Sequence, residues 1–163
     1  MSELKNELKF SSDERGFILE DSLEVPYKLE EVFEFFSNAE NLEFLTPQKL
    51  QFSIVSPKPI KMAVGTHIDY KLKLFGIPFK WKSEIPLWEP PRRFMDVQLT
   101  GPYTYWEHEH LFEDLGDSTR IIDKVHYNQP GGALVNSLFI KPNLRSIFSF
   151  RKKQMMARFP ALS

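Results

Sequence analysis

The chain has 163 residues, enough for one domain with a sizeable core, and its 42% hydrophobic and 26% charged residues predict a globular protein. A formal net charge of -1 leaves no basic footprint for nucleic acid. The chain has no cysteine, which excludes disulfides, thiolate catalysis and zinc–thiolate sites.

The first residues, MSELKNELKFSSDERG, are charged and carry no apolar signal core. No stretch approaches the ~18 apolar residues of a spanning helix. The expectation is a cytoplasmic protein with no membrane span and no cofactor, a monomer or weak homodimer. Residues 1–14 read as an amino-terminal extension and 15–163 as a single domain. RGFILEDSLEV (15–25) predicts a first strand, with Phe17, Leu19, Leu23 and Val25 on one parity and Asp21 interrupting them. In 28–47 the period becomes helical through Leu29, Val32, Phe33 and Phe36. Ser37-Asn38 breaks it, Asn38 is placed to cap a second short helix reaching Leu45, and Pro47 ends the run.

From Leu50 to Asn128 the pattern is strand. LQFSIVS (50–56) comes first, followed by the loop PKPIKMAVG (57–65). GTHIDYKLKLF (65–75) aligns Ile68, Tyr70, Leu72 and Leu74. FKWKSEIPLW (79–88) aligns Phe79, Trp81, Ser83, Ile85 and Leu87, and RFMDVQLT (93–100) aligns Phe94, Asp96 and Gln98. GPYTYWEHEHLFEDL (101–115) puts Trp106, His108, His110 and Phe112 on one face and Glu107 and Glu109 on the other. STRIIDKVHYN (118–128) closes the run. Short turns between alternating strands make an antiparallel meander.

After QPGG (129–132), residues 133–159 are again helical in period. Ile140, Leu144, Ile147, Phe148, Met155 and Phe159 form a stripe with Arg151 in its middle, and Pro142 is expected to kink or divide the helix. Lys152-Lys153 reads as a solvated helix face. A curved sheet needs cover on its concave side, and only this last helix is long and apolar enough to supply it. The fold class is therefore α+β, a curved antiparallel sheet of six to seven strands around a long carboxyl-terminal helix, with two short helices after the first strand.

The segments LEVPYKLEEVFEFFSNAENLEFLTP, FMDVQLTGPYTYWEHEHLFE, IIDKVHYNQPGG and IFSFR resemble the SRPBCC superfamily, the START-like and polyketide cyclase/dehydrase-like proteins with the helix-grip fold also seen in the birch-pollen allergen. The resemblance runs from about Phe17 to Phe159. It is most specific for a bacterial subgroup with a Phe-x-Asp-x-Gln strand, a Gly-Pro-Tyr turn and Trp-x-His-x-His-x-Phe. It implies a hydrophobic cavity between sheet and helix, and no settled catalytic set.

Two histidines on an apolar face call for a physical reason. With 101–103 as a loop, Asp96 falls opposite His108, Phe94 opposite His110 and Gln98 opposite Trp106. A two-residue type II′ turn at Gly116-Asp117 sets His110 opposite Asp123, His108 opposite Val125 and Trp106 opposite Tyr127. Each inward histidine then faces an inward aspartate, His108 with Asp96 and His110 with Asp123. A slip of two residues would change the partners without changing the face. Buried polar groups left unpaired cost ~1–3 kcal/mol each, so this polar set is either a core network that fixes register or a polar floor for a mostly apolar ligand. The candidate ligand-binding residues are Tyr70, Trp81, Ser83, Phe94, Asp96, Gln98, Trp106, His108, His110, Asp123 and Tyr127 on the sheet, with Leu144, Phe148 and Arg151 on the helix.

The function expected is binding or carrying of a small hydrophobic molecule such as a lipid, isoprenoid, fatty acid or aromatic metabolite. The alternative is a cyclase or dehydratase acting on a carbonyl compound. Its candidate catalytic residues are His108 or His110 as base, Asp96 and Asp123 as orienting groups, and Tyr127 as donor to an oxyanion. His108 and His110 with Asp96 or Asp123 also offer two imidazoles and a carboxylate to a metal, but opposed His–Asp pairs more often bond each other, and no metal is assigned. Arg151 is read as an ion-pair partner of Asp96 or Asp123, a clamp for a ligand carboxylate, or a snorkelling side chain. Met62 is a candidate lid, and His67 and His126 have the outward parity expected of exposed side chains. A third possibility is a filled core with a partner-binding surface near Phe139 and Phe150, unless these tuck under the amino terminus.

Overall fold

The computed structural model describes residues 8–163. Eight strands form one antiparallel sheet: β1 (Lys9–Asp13), β2 (Gly16–Val25), β3 (Ser53–Ile54), β4 (His67–Leu74), β5 (Ile77–Glu89), β6 (Arg93–Thr100), β7 (Tyr105–Asp114) and β8 (Thr119–Asn128). Their spatial order is β1-β2-β8-β7-β6-β5-β4-β3. Six of these strands match the sequence reading, and the seventh, read as 50–56, is reduced to Ser53–Ile54, with Leu50 taken into a 3₁₀ turn. The eighth, β1, comes from residues read as an amino-terminal extension: Lys9–Asp13 pairs with β2 as a hairpin, Lys9 opposite Glu20.

Between β2 and β3 lies helix α1 (Leu29–Phe36), followed by 3₁₀ turns at Ala39–Leu42 and Gln48–Leu50. Asn38 caps the first of these turns, its Oδ1 accepting from the Glu40 N–H at 3.0 Å. The second short helix is thus a 3₁₀ turn that stops at Leu42, short of Leu45.

The last helix runs without a break from Gly132 to Arg158, as α2 (Gly132–Val135), a π-turn (Asn136–Ile140) and α3 (Lys141–Arg158). Pro142 does not divide it. The wider turn carries the Lys141 N–H back to the Asn136 carbonyl, so the proline follows a segment already released from regular spacing. The buried stripe of α3 is Leu144, Phe148, Arg151 and Met155, spaced four, three and four residues apart.

These elements build the core from both ends of the groove. Leu29, Val32, Phe33 and Phe36 of α1 pack with Phe94, Phe112 and Ile121 of the sheet and with Met155 and Phe159. At the other end Leu19, Val125 and Tyr127 meet Leu144, Phe148 and Tyr103. The Gly116-Asp117 turn is as expected: Gly116 has φ 93°, and the Leu115 N–H donates to the Ser118 carbonyl at 2.9 Å.

One strand departs from simple alternation. The β5–β6 register shifts between Glu84 and Leu87, where Glu84 faces Val97 and Leu87 faces Met95. The irregularity at Ile85-Pro86 reverses which residues point inward. Leu87, expected on the inner face, therefore yields that place to Trp88, which packs on Phe33 at 5.5 Å and Phe94 at 5.3 Å.

Candidate functional site

The β6–β7 and β7–β8 registers put the polar residues on the concave face. Asp96 is opposite His108, Phe94 opposite His110, His110 opposite Asp123 and Trp106 opposite Tyr127. The bonds nevertheless run diagonally. His108 Nε2 meets Asp123 Oδ1 at 2.7 Å, and His110 Nε2 meets Asp96 Oδ2 at 2.8 Å. The directly opposed pairs are 3.8 Å apart for His108 and Asp96 and 3.6 Å for His110 and Asp123, too long for hydrogen bonds. The expected pairing is corrected by the stacking of the two imidazoles. Their centroids are 3.7 Å apart and Phe94 covers His110 at 4.2 Å, so each ring lies flat and its nitrogens reach the diagonal carboxylate.

Arg151 comes down from α3 onto this face. Its Nε donates to Asp123 Oδ2 and its terminal nitrogen to Asp123 Oδ1, both at 3.1 Å. The same nitrogen lies 3.5 Å from His110 Nδ1. Guanidinium has no acceptor, so this geometry calls for an unprotonated Nδ1 and a proton on Nε2, where Asp96 accepts it. Burial pushes the His110 imidazole down to about 4. A charge on His108 adds to that and the Asp96 hydrogen bond opposes it. Burial works against ionised Asp123, but Arg151 and His108 outweigh it and hold the carboxyl below the usual range. Asp96 is shifted the same way, burial being overcome by the His110 hydrogen bond and nearby positive charge.

A second buried pair sits beside the first. Asp21, on the inner parity of β2 and opposite Asp123 of β8, is bonded by Lys152. Burial raises its carboxyl, and the Lys152 contact opposes the rise. Lys152 is thus not on a solvated face: its side chain is 15% exposed. Neither residue was a candidate in the sequence, although Asp21 broke an apolar row and was the available signal.

Above the polar floor lies a cavity of about 180 Å³. Tyr70, Trp81, Ser83, Phe94, Asp96, Trp106, His108 and His110 line its sheet side, and Leu144, Phe148 and Arg151 its helix side. Three sequence candidates do not reach it. Asp123 lies beneath the histidines, bound to Arg151. Tyr127, 0% exposed, donates its hydroxyl to Asn136 Oδ1 at 2.7 Å and so ties the sheet to the π-turn. Gln98 staples the 101–103 loop, its Nε2 donating to the Tyr103 carbonyl at 2.7 Å and its Oε1 accepting from the Tyr103 N–H at 3.1 Å.

That staple delivers a lining residue from the 101–103 turn, a segment placed at the rim by its sequence although Tyr103 itself was not singled out. Tyr103 packs edge-on to Trp81 at 5.7 Å and sits 4.7 Å from Trp106. Met62 lines the cavity, as its loop position suggested, together with Leu42, Leu45, Leu50 and Phe52 from the 3₁₀ region. Trp81 donates to Ser83 Oγ at 3.0 Å. Burial and then Asp96 push the Tyr70 phenol up, so it stays protonated and can donate. His67 is half exposed, as expected. His126 is buried, because the β1–β2 turn folds over it: its ring nitrogens meet Asp13 Oδ1 at 2.9 Å and the Arg15 guanidinium at 3.1 Å.

No known family profile matches the sequence, and no curated protein matches it. Its shape is shared widely. A START superfamily protein from Mycobacterium smegmatis superposes with a TM-score of 0.64 at 14% identity, over 87% of this chain and 96% of that one. A protein from Thermus thermophilus superposes at 0.65 with 18% identity, over 86% and 98%. Ginseng major latex-like protein 151 superposes at 0.64 with 11% identity, over 88% and 97%. The chain has the START-like, helix-grip fold. In this START-like frame the cavity lies between the concave face and the carboxyl-terminal helix. Among the described residues no helix is long and apolar enough to cross a membrane.

Proposed function

We propose that this START-like protein binds or carries a small hydrophobic molecule in the cavity between the sheet and α3. The observation that carries the reading is the cavity itself, mostly apolar on its walls, with its charged and imidazole groups, Asp96, His108, His110 and Arg151, gathered together. A void of about 150 Å³ lined by aliphatic and aromatic groups accepts benzene, so about 180 Å³ suits a ring-sized or short-chain guest. Arg151, the one Lys or Arg among the described lining residues, is committed to Asp123 and so is poorly placed to hold a ligand carboxylate. The polar anchor is instead Asp96, whose Oδ2 is on His110 and whose Oδ1 has no hydrogen bond among the described residues. A hydroxyl-bearing aromatic or isoprenoid molecule fits that chemistry better than a free fatty acid.

The test is native mass spectrometry of protein purified from its own host, with extraction of what is bound. It is paired with fluorescent-probe displacement on the parent and on Ile147→Trp, which narrows the cavity. A small apolar compound held by the parent and lost in the variant is the expected result. No retained compound, together with no thermal shift across a library of apolar alcohols and phenols, would overturn the reading.

A second reading rests on His108. Its Nε2 is bonded to buried Asp123 and its Nδ1 has no hydrogen bond among the described residues, which is the arrangement of an oriented general base. Cyclase or dehydratase chemistry on a carbonyl compound would use Nδ1 to take the proton. Turnover abolished by His108→Ala with ligand affinity kept would favour it over carriage.

A further inference from the structure

We propose that Asp96, His108 and His110 form a binding site for a divalent transition-metal ion such as Zn²⁺, with its open coordination positions turned into the cavity. The proposal stands apart from the carrier reading, since it concerns an ion and needs no organic guest.

The three residues each bring one ligating atom to a common point, all within 4.8 Å of one another. A tetrahedral ion with bonds of about 2.1 Å needs ligand atoms about 3.4 Å apart. His110 Nε2 and Asp96 Oδ2 are already nearer than that, at 2.8 Å, and His108 Nδ1 is 3.8 Å from the same oxygen. The two imidazoles are stacked 3.7 Å apart, so each ring must tilt for its lone pair to meet the shared ion.

The surroundings are those a metal-binding imidazole requires. A ligating histidine turns its other nitrogen to a carboxylate, which fixes its tautomer and orientation. His108 has this contact, its Nε2 lying 2.7 Å from Asp123 Oδ1, and His110 Nδ1 lies 3.6 Å from the same oxygen, a gap its ring would close on binding. Asp123 is held by Arg151 from behind. On binding, the His110 proton moves from Nε2 to Nδ1, which must turn from the Arg151 guanidinium towards Asp123 Oδ1, and Asp96 exchanges a hydrogen bond for the ion. The two imidazoles and one carboxylate match zinc, cobalt, nickel or iron, and no thiolate is required. The same cavity is lined by Tyr70, Trp106 and Phe148, so an ion held there could polarise a carbonyl or hydroxyl oxygen of a bound molecule.

The test is titration of the full chain, freed of metal by chelator, with Co²⁺ followed by absorption and with Zn²⁺ followed by calorimetry. One ion per chain is expected, with the intense ligand-field bands of a four- or five-coordinate nitrogen–oxygen site. Asp96→Asn keeps an acceptor for His110 and so preserves the fold, but it should weaken binding by at least about 100-fold. Asp123→Asn, which leaves all three ligands in place but weakens their orientation and strands Arg151, should weaken it by about 10–100-fold in the fraction that stays folded. His67→Ala, remote from the cavity, should leave binding unchanged. Weak octahedral bands like those of the free ion, or an Asp96→Asn protein that binds as the parent does, would overturn the proposal. Apolar-probe binding is measured separately, so failure here leaves the carrier reading standing, and the reverse also holds.

Discussion

Replacing Arg151 by methionine tests whether the polar floor is one coupled unit. Arg151 is 4% exposed and Asp123 2%, and their two bonds of 3.1 Å are supplemented by His108 at 2.7 Å. Removing one member of such a pair leaves a buried charge uncompensated, a loss of ~3–5 kcal/mol. Asp123→Leu should cost a similar amount, because the guanidinium would keep only the 3.5 Å contact to His110 and the face of Phe36 at 5.5 Å. The double variant removes both charges and leaves only the His108 N–H without its acceptor, at ~1–3 kcal/mol. Independent effects would sum to ~6–10 kcal/mol, so the double variant should be more stable than either single one. Urea denaturation followed by tryptophan fluorescence reads all three. If the losses simply add to within ~0.5 kcal/mol, the residues do not act as a pair and the account of the floor fails.

Acid should loosen the protein before its carboxylates titrate in bulk. His110 binds its proton at about 4 in the folded chain against an ordinary 6.5. The unfolded chain therefore takes up more protons between those values, and stability falls as pH falls, by up to ~3 kcal/mol. Asp96 and Asp123, both lowered, extend the loss to lower pH, while Asp21, which is raised, acts in the opposite direction. Urea midpoints measured from pH 7 to pH 4 should decline steadily, and a flat profile would contradict the neutral, buried imidazole. Gly101→Ala should cost ~1–3 kcal/mol, because its Cβ would lie 2.4 Å from Gln98 Oε1 and break the staple to Tyr103. The same change made in a Gln98→Ala background should cost almost nothing more, and additive shifts in Tm would show that the clash lies elsewhere.

Much of this arrangement was legible because strands carry their faces in their parity. The Leu115-Gly116-Asp117-Ser118 turn has only two central residues, so it fixed the partners of His108, His110 and Trp106 as well as their face. What escaped depends on shape rather than pattern. Leu87 and Trp88 exchanged roles because an irregularity at Ile85-Pro86 inserts a half-step that alternation cannot register. The His–Asp bonds run diagonally because Phe94 and the two imidazoles stack, a choice made by ring packing and not by register. His126 had the outward parity but acquired Asp13 and Arg15 as cover from a hairpin whose first strand, KFSSD, has too few apolar residues to signal itself. Asp21 and Lys152 stand 131 residues apart, and nothing local in either segment announces the pair.

The charges on the inner face also separate support from site. Asp21, Asp96 and Asp123 are three carboxylates, while Arg151 and Lys152 are two cations. Lys152 answers Asp21 and Arg151 answers Asp123, and both of those carboxylates are 3% exposed at the side chain. Asp96 is the remainder. Among the described residues its one hydrogen bond is to the His110 imidazole, no Lys or Arg forms an ion pair with it, and its side chain is 22% exposed. Charge left unmatched in a largely apolar enclosure attracts whatever donor or cation can reach it. Asp96→Asn should therefore change stability far less than Asp123→Asn does, because no cation is stranded by it. It should change what the cavity accepts far more, since it removes the excess negative charge that would draw a hydroxyl donor or a metal ion to the floor. The reverse ranking, with Asp96 the costlier residue for folding, would mean that its hydrogen bond to His110 exists to hold the sheet together.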